Sequence, residues 1–146
     1  MRTIRTPHLV TDIIIELLDL PDRPLVLIER KFPPYGLAIP GGFVDVGERV
    51  EQAAIREAAE ETSLTVTLKA LLGIYSDPAR DSRSHTASAV YVAEAHGLPV
   101  AADDAAQVRI VQLAELPLPM AFDHATILED YLLFRRSGVV TPLRLG

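Results

Sequence analysis

The sequence predicts an α+β (mixed α/β) protein in which two helices cover a central mixed sheet. β-Branched and alternating apolar segments are interrupted by two segments with helical periodicity, in the order strands, helix, strands, helix. The length of 146 residues is that of one domain with its own core. We therefore expect a three-layer α/β/α sandwich, formed by a single domain over residues 1–146.

The first elements are two strands and a loop. The run from Leu9 to Leu18 is β-branched and predicts a strand that is buried on much of both faces. "DLPDRP" predicts a turn, and the run from Leu25 to Arg30 predicts a second strand, so the two strands should form a hairpin. "KFPPYGLAIPGG" predicts a loop, because Pro and Gly occur at nearly every other position.

The pattern predicts a first helix from Glu48 or Arg49 to about Thr62. Its apolar line has helical spacing, and the small alanines in it allow close packing on a sheet. The members of this line are Val50, Ala53, Ala54 and Ala58.

The second half predicts further strands and a second helix. Strands are expected in "LTVTLKALLGIYS" (one, or two short ones), "TASAVYVAEAH" and "QVRIVQL", separated by the loops "DPARDSRSH" and "GLPVAADDAA". A Pro-rich connection, "AELPLPM", precedes an amphipathic helix in "FDHATILEDYLLFRRSG". Asp123 is the expected N-cap of this helix, and Gly138 the expected stop.

Composition narrows the classes of function. A net charge of -6 argues against general binding of nucleic acid through a basic surface, and the absence of Cys excludes disulfides, thiolate metal sites and Cys nucleophiles. No apolar run reaches the ~18 residues that a membrane span needs. Asp12, Glu16 and Asp19 interrupt the apolar N-terminal segment, so it does not resemble a signal peptide. We expect a cytoplasmic protein with neither a nucleic-acid nor a membrane partner.

Three carboxylates, Glu57, Glu60 and Glu61, fall within five residues of the first predicted helix. On one helix face such charges repel one another, and a simply solvated face is the alternative interpretation. The preceding loop is rich in Gly, including Gly41 and Gly42, and lets backbone groups approach a ligand closely. Carboxylate and carbonyl oxygens suit Mg²⁺ or Mn²⁺, which would also neutralise the crowding.

A charge pair is expected beside this cluster, because Glu48 lies eight residues before Arg56 and can orient it. Gly42, five residues, Glu48, seven residues and then "REAAEETSL" together resemble the Nudix box. The resemblance implies a Nudix-type fold and a metal-dependent hydrolase that cleaves nucleoside diphosphates linked to another group. It implies structural roles for Glu48 and Arg56. The implied ligands of Mg²⁺ or Mn²⁺ are Glu57, Glu60, Glu61 and the carbonyl of Gly42.

Ser63 departs from this pattern, since the family usually has Gly there. Gly suits the left-handed residue that ends a helix, and Ser adopts that conformation at a cost of about 1 kcal/mol. The departure leaves the helix exit open, but it removes no metal ligand.

A second motif lies in the loop "DPARDSRSH". Taken alone it is an ordinary polar loop, but Arg80, Arg83 and His85 cluster there, and Arg suits bidentate contacts to phosphate. With "PPYGLAIPGGFVD" and "LPMAFDHATIL", the pattern resembles the ADP-ribose pyrophosphatase branch. The implied reaction converts ADP-ribose and water to AMP and ribose 5-phosphate.

The resemblance also suggests roles for side chains around the substrate. Arg80 and Arg83 would position phosphate or the terminal ribose, and His85 would touch a phosphate or merely end the loop. Tyr35 or Phe32 could stack on adenine, with packing within the loop an equal alternative for Tyr35. The other expectations are structural: Asp81 caps the loop or pairs with an Arg, and surface or structural roles fall to His8, His96 and His124.

The general base is left open among several acids. A metal lowers the pKa of a bound water, and a carboxylate then takes its proton. The candidates are Glu60, Glu61, and the loop acids Asp103 and Asp104, with Glu94 a weaker one.

Two alternatives to ADP-ribose hydrolysis remain. The first is a Nudix hydrolase that acts on NADH, dinucleoside polyphosphates, sugar nucleotides or damaged nucleoside triphosphates. The second is a non-catalytic sensor that binds ADP-ribose, which the intact carboxylates disfavour. Sensors of this kind carry a DNA-binding domain after the Nudix-like one, and no room for it is expected beyond Gly146. Related pyrophosphatases are often homodimers, and the apolar N-terminal strand could supply such an interface.

Overall fold

The protein, described by a computed structural model over residues 3–101 and 107–146, is built around one mixed sheet. The strands described are β1 (His8–Leu17), β2 (Leu25–Glu29), β3 (Leu37–Ala38), β4 (Gly41–Phe43), β5 (Thr67–Tyr75), β6 (Thr86–Ala95) and β7 (Val108–Val111). The helices are α1 (Val50–Thr62) and α2 (His124–Ser137), with a short 3₁₀ turn at Leu113–Glu115. None of the helices in these two ranges is long and apolar enough to cross a membrane.

Strand β1 is the centre of the sheet, whose main order is β3-β2-β1-β6-β5. It pairs in parallel with β6 over its whole length, and in antiparallel fashion with β2 at one end and β4 at the other. Strand β7 pairs with β2. All side chains from Val10 to Leu17 are buried, as the β-branched run predicts. The proposed use of β1 as a dimer interface is therefore wrong, because neighbours occupy both edges and both faces of this strand.

The two helices lie on opposite faces of the sheet, which confirms the predicted three layers. Successive residues of a strand point to opposite faces. Ile13 and Ile15 accordingly pack in one cluster with Ala54 and Ala58 of α1. Ile14 lies in the other cluster, together with three residues of α2: Ile127, Leu128 and Tyr131.

The segment predicted as a loop before α1 contains two short strands, so that prediction is wrong in part. β3 pairs with β2, and β4 pairs with β1. The sequence masks them because Pro40 separates them and two of the three residues of β4 are Gly. β5 is one strand with two register irregularities, and β7 ends at Val111, before the predicted limit.

Helix α1 ends at Thr62, and Ser63 adopts the left-handed conformation with φ 62° and ψ 14°. The Ser63 amide donates to Ala59 O at 2.9 Å, as in a Gly-terminated helix. The Ser63 hydroxyl also donates to Val100 O at 3.0 Å, while the Val100 amide donates to Thr62 O at 2.8 Å. A serine therefore ends this helix with a hydrogen bond that Gly could not make.

Candidate active site

A cavity of about 360 Å³ lies between the N-terminal ends of β1 and β4, helix α1, the loop before β6 and the start of α2. Its acidic wall comes from β4 and α1, and its basic wall from the end of β2 and the loop before β6. The charged lining residues are Asp12, Arg30, Asp45, Glu57, Glu61, Arg80, Asp81 and Arg83, with His124 and Phe122 beside them.

Two glycines of β4 let its backbone lie directly against the acidic side chains. A Cβ on Gly42 would lie 2.4 Å from the Glu57 carboxylate, and one on Gly41 would lie 2.2 Å from Thr11 O. No side chain fits at either position without displacement. The Gly41 amide also donates to Glu61 Oε2 at 3.3 Å, which ties the helix carboxylate to the strand.

The carboxylates in this wall resist ionisation. Burial, followed by the charge of Glu57, raises the pKa of Glu61 to about 8. Burial also raises the pKa of Glu57 above its usual value, although Arg56 opposes that change. Arg56 thus compensates the charge of Glu57 only in part, and Glu61 has no basic side chain within 4 Å in the described part of the chain.

Arg56 organises the outer side of α1. Its Nε and Nη2 donate to the two oxygens of Glu48 at 2.7 and 2.9 Å, so the charge pair expected from the spacing is present. Nη2 also donates to Phe43 O at 3.0 Å, and Nη1 to Glu57 Oε1 at 3.0 Å. The hydrogen bonds from Arg56 hold the pKa of Glu48 at about 2.

The remaining glutamate of the motif, Glu60, has a different environment. Glu60 accepts from Arg56 Nη1 at 3.2 Å, its side chain is 58% exposed, and it does not line the cavity. Of the three glutamates expected to bind metal, the structure thus brings Glu57 and Glu61 together at the cavity and places Glu60 beside Arg56.

On the basic wall, Arg80 is buried and paired within the protein. Its Nε and Nη2 donate to the carboxylate of Asp123 at 3.0 and 2.8 Å, and its Nη1 donates to Thr86 Oγ1 at 2.7 Å. Asp123 is the N-cap residue of α2, as predicted, but its side chain makes no capping hydrogen bond. The carboxylate turns to Arg80 instead. The arginine lines the cavity with most of its donors already used.

Arg83 also has an acidic partner, but it stays more open. Its Nε and Nη2 donate to the two oxygens of Asp81 at 3.0 and 2.9 Å, and half of its side chain is exposed. Hydrogen bonding from Arg83 holds the pKa of Asp81 below its usual value, although burial opposes this. The expected pairing of Asp81 with a nearby Arg is therefore present.

Several lining residues were not expected from the sequence, namely Arg30, Asp45 and Phe122 together with two buried residues, Asp12 and His124. Asp12 is buried in β1, accepts from the Ser88 hydroxyl at 2.5 Å, and lies 3.8 Å from Arg80 Nη2. Burial, opposed by the bond from Ser88, raises its pKa to about 6. His124 Nδ1 accepts from the Ile39 amide at 2.9 Å, and burial lowers its pKa to about 3. The imidazole is therefore neutral, with its proton on Nε2, which faces Asp12 Oδ1 at 3.7 Å.

A sequence signal existed for both residues. An acid inside a strand that is buried on both faces must have polar partners, which marks Asp12. A polar residue directly after a predicted N-cap, as His124 follows Asp123, lies where a helix meets a loop. Neither signal names the partners: those of Asp12 come from β6 and the loop before it, and that of His124 is the Ile39 amide between β3 and β4.

The remaining residues expected at the site lie away from the cavity or outside the described residues. Tyr35 and Phe32 are 71% and 67% exposed, and neither lines the cavity. The His85 ring lies 3.0 Å from Ser76 O, and Glu94 lies near Lys69. The loop acids Asp103 and Asp104 fall in residues 102–106, which the structure does not describe.

The donor set fits a hard divalent cation at the acidic wall. Glu57 and Glu61 offer carboxylate oxygens next to the bare backbone of Gly42, and their raised pKa values express a deficit of positive charge. Within residues 3–101 and 107–146, no three His, Asp or Glu side chains already form a closed metal cage. An open set of this kind suits ions that keep waters and bind substrate phosphates.

The chain matches a known family model and a characterised relative over most of its length. A family model described as the NUDIX domain matches residues 7–131. The ADP-ribose pyrophosphatase of Methanocaldococcus jannaschii is 42% identical over 134 residues, covering 90% of this chain and 76% of that protein.

Two crystal structures show the same fold. A mutT/nudix family protein from Listeria innocua superposes with a TM-score of 0.75 and 33% identity, covering 92% of this chain and 98% of that one. A bifunctional NMN adenylyltransferase/ADP ribose pyrophosphatase from Francisella tularensis, complexed with AMP and a Mn ion, superposes with a TM-score of 0.73 and 26% identity. That match covers 90% of this chain and 43% of the other.

Proposed function

Because this chain belongs to the Nudix hydrolase family and is a pyrophosphohydrolase, we propose that it converts ADP-ribose and water to AMP and ribose 5-phosphate. One observation carries the proposal. Two helix carboxylates with raised pKa values, Glu57 and Glu61, face a cavity whose other wall holds arginines. The activity of the Methanocaldococcus jannaschii relative and the AMP bound to the Francisella tularensis enzyme support the choice of substrate.

Nudix hydrolases generally use divalent metal ions, and we propose Mg²⁺ or Mn²⁺ here. Glu57, Glu61 and the carbonyl of Gly42 would hold the ion, with Glu60 joining them by leaving Arg56. When bound, the ion offsets charge on the pyrophosphate and makes a bound water more acidic. The Mn ion in the Francisella tularensis enzyme supports this choice of cation.

The protein's own side chains would handle the proton and the substrate. Glu61 is the first candidate for the general base, because it is partly buried at the cavity and has the most strongly raised pKa among the α1 glutamates. Glu60 and the loop acids Asp103 and Asp104 stay as proposed alternatives. Arg83 would contact phosphate or ribose, while Arg80 would shape the wall through Asp123.

For the residues farther from the cavity, substrate contact remains a proposal that requires movement. Tyr35 would have to swing from its exposed loop to stack on adenine, and His85 would have to leave Ser76 to reach a phosphate. A structure with ADP-ribose and Mg²⁺ bound would test both contacts directly.

A cytoplasmic location and homodimerisation complete the proposal. Related ADP-ribose pyrophosphatases are often dimers. Since β1 is buried, we place the interface at another surface. One candidate is β5, which ends the main strand order and carries the exposed side chains of Leu71 and Ile74. Sedimentation that gives a monomer at micromolar concentration would contradict dimerisation.

The substrate is tested by comparing rates for a panel of nucleotides in Mg²⁺ and in Mn²⁺. We expect the highest kcat/KM for ADP-ribose, with AMP and ribose 5-phosphate as the products. The panel also contains NADH, a dinucleoside polyphosphate, a sugar nucleotide and an oxidised nucleoside triphosphate. If ADP-ribose reacts no faster than these, the assignment is wrong.

A further inference from the structure

In the basic wall, the ring of Phe122, just before α2, lies against two arginines. These are Arg30, at the end of β2, and Arg83, in the loop before β6. The Arg30 guanidinium carbon lies 4.8 Å from the centroid of the Phe122 ring, and that of Arg83 lies 5.2 Å from the same centroid. All three side chains line the cavity. These distances fall within the range of cation–π attraction.

The two guanidinium groups are held in the same way. Arg30 donates through Nε to Pro34 O at 2.7 Å and through Nη2 to Pro33 O at 3.5 Å. Arg83 donates through Nε and Nη2 to Asp81. Within residues 3–101 and 107–146, Nη1 of neither arginine has a hydrogen-bond acceptor. Each therefore keeps one nitrogen with two N–H groups for a ligand.

The charges around the ring are not balanced. Arg83 has Asp81 as its partner, whereas Arg30 is held by two neutral carbonyl groups and has no carboxylate within 4 Å in the described part of the chain. Arg30 is half-buried, and its pKa is lowered by that burial and by the neighbouring charge of Arg83. Two cations that repel each other are thus kept on one ring at the edge of the cavity.

Phe122 holds this position at a backbone cost. Its φ is +55°, in the left-handed region that a bulky residue rarely adopts. The neighbouring side chains, Asp123 on Arg80 and His124 on Ile39, are each fixed by hydrogen bonds. Strained residues of this kind cluster at ligand sites, where the surrounding contacts maintain them.

We propose that Phe122 is a positioning residue that holds Arg30 and Arg83 as a two-armed clamp for a phosphate group of the substrate. The free Nη1 groups of the two arginines donate to the phosphate oxygens, and the anion supplies the charge that the pair lacks. In this arrangement Phe122 contacts the guanidinium groups and leaves the nucleotide base to other residues. The inference rests on the proposed function only in the nature of the ligand, a nucleotide phosphate.

The clamp is tested by calorimetric binding of AMP and of adenosine in EDTA, where no metal can hold the phosphate. We expect wild-type protein to bind AMP more tightly than adenosine. Arg30→Gln should weaken AMP binding roughly ten- to hundredfold, the range for a charged hydrogen bond, and Phe122→Leu roughly three- to thirtyfold, the range for cation–π contacts. Neither change should affect adenosine binding, and Phe122→Tyr should stay within about twofold of wild type because it keeps the ring.

Matched controls separate the clamp from general effects of substitution. Arg109→Gln removes an exposed arginine of β7, and Phe134→Leu shortens a half-buried aromatic of α2 that packs on the core away from the cavity. Both should bind AMP as wild type does. Melting temperatures show whether each variant is folded. If Phe122→Leu does not fold, then Arg30→Gln, compared with Arg109→Gln, decides the question.

Three outcomes would overturn the clamp. They are equal binding of AMP and adenosine by wild type, unchanged AMP binding in Arg30→Gln, and loss of adenosine binding in Phe122→Leu. The last result would make Phe122 a stacking platform for the base. Failure of ADP-ribose hydrolysis by wild type would instead contradict the proposed substrate, since these binding measurements involve no turnover.

Discussion

The carboxylate of Asp130 and the carboxylate pair of Glu57 and Glu61 differ in how their negative charge is balanced within the protein. We call them the Asp130 cluster and the cavity cluster. In the middle of α2, Asp130 accepts hydrogen bonds from Tyr75, Thr141 and both Nη groups of Arg144, all between 2.7 and 2.9 Å. Burial raises its pKa, but these donors outweigh burial and hold the pKa below its usual value. In the cavity, burial and like charge raise the pKa of Glu61 to about 8.

The two sites differ in how many hydrogen-bond donors within the protein each carboxylate has. Asp130 has internal donors for both of its oxygens, so it fastens the C-terminal segment to the sheet. Glu57 and Glu61 have fewer donors, one hydrogen bond from Arg56 and one from the Gly41 amide, so a bound cation would balance charge that the described residues leave unbalanced. Burial raises the pKa of both carboxyl groups, and hydrogen-bond donors outweigh it at Asp130 but not at Glu61.

The largest expected effect is the loss of turnover when a cavity carboxylate is neutralised. Glu61→Gln should lower kcat by roughly 10²–10⁴-fold, the range for loss of a general base or a metal contact. Its melting temperature should stay level or rise, because repulsion from Glu57 is relieved. Glu129→Gln, at an exposed site of α2, serves as the control and should leave kcat unchanged. Full activity of Glu61→Gln would point to contamination or to a sensor.

The second prediction concerns stabilisation by a divalent metal ion, which involves the cavity carboxylates and can be measured without substrate turnover. Mg²⁺ or Mn²⁺ should stabilise wild-type protein, by about 2.7 kcal/mol at a concentration a hundred times the Kd, because only the folded state assembles the site. Scanning calorimetry of wild type should show a rise in melting temperature that Glu57→Gln reduces. An absent shift at metal concentrations that support turnover would contradict a preformed site on α1.

Substitution of Asp130 should lower the stability of the protein and leave its activity unchanged. Asp130→Asn should cost about 1.5–3 kcal/mol of unfolding free energy at pH 7, the range for hydrogen bonds to a charged group, with kcat/KM unchanged. Urea unfolding measures this loss. A comparable fall in kcat/KM would show that the two clusters are coupled.

The pH dependence of that loss has a defined sign. The folded pKa of Asp130 is lowered, so its contribution is complete above the unfolded pKa of about 3.9 and is lost as pH falls through the folded value. The difference between wild type and Asp130→Asn should therefore shrink below about pH 4. A constant difference between pH 7 and pH 3 would contradict this account.

The smallest effect is expected at Ser63, which belongs to neither cluster. Ser63→Gly relieves about 1 kcal/mol of left-handed strain and loses the hydrogen bond to Val100 O, also worth about 1 kcal/mol. Unfolding free energy should change by no more than about 0.5 kcal/mol, and kcat not at all. A large gain in stability would show that the bond to Val100 contributes little.

Much of the fold follows from local patterns in the sequence. The buried run of β1, the alanine line of α1 and the Gly138 stop of α2 have the periods and end residues of their elements, and all three occur as predicted. β3 and β4 could not be predicted in this way. They are short, and their pairing with β2 and β1 outweighs the preferences of Gly and Pro.

The site was predictable only where its residues lie close in sequence. Glu48 and Arg56 are only eight residues apart, with Glu48 in the loop that leads into α1 and Arg56 on α1, so the turn into the helix brings their side chains together. Arg80 and Asp123 are 43 residues apart, and Asp12 and Ser88 are 76 apart. No local rule pairs them, so the sequence predicts Asp123 as the N-cap of α2 without its bond to Arg80, and it predicts no partner for Asp12.

The parallel pairing of β1 with β6 has a consequence for the order in which the chain can fold. Each residue of β1 pairs with a residue 78 positions later in the chain, from His8 with Thr86 to Leu17 with Ala95. During synthesis, the central strand therefore stays without its longest neighbour until residue 95 has left the ribosome. The apolar stretch from Val10 to Leu17 must remain soluble throughout that delay. Asp12 and Glu16, buried in the finished protein, supply charge to it while it is exposed.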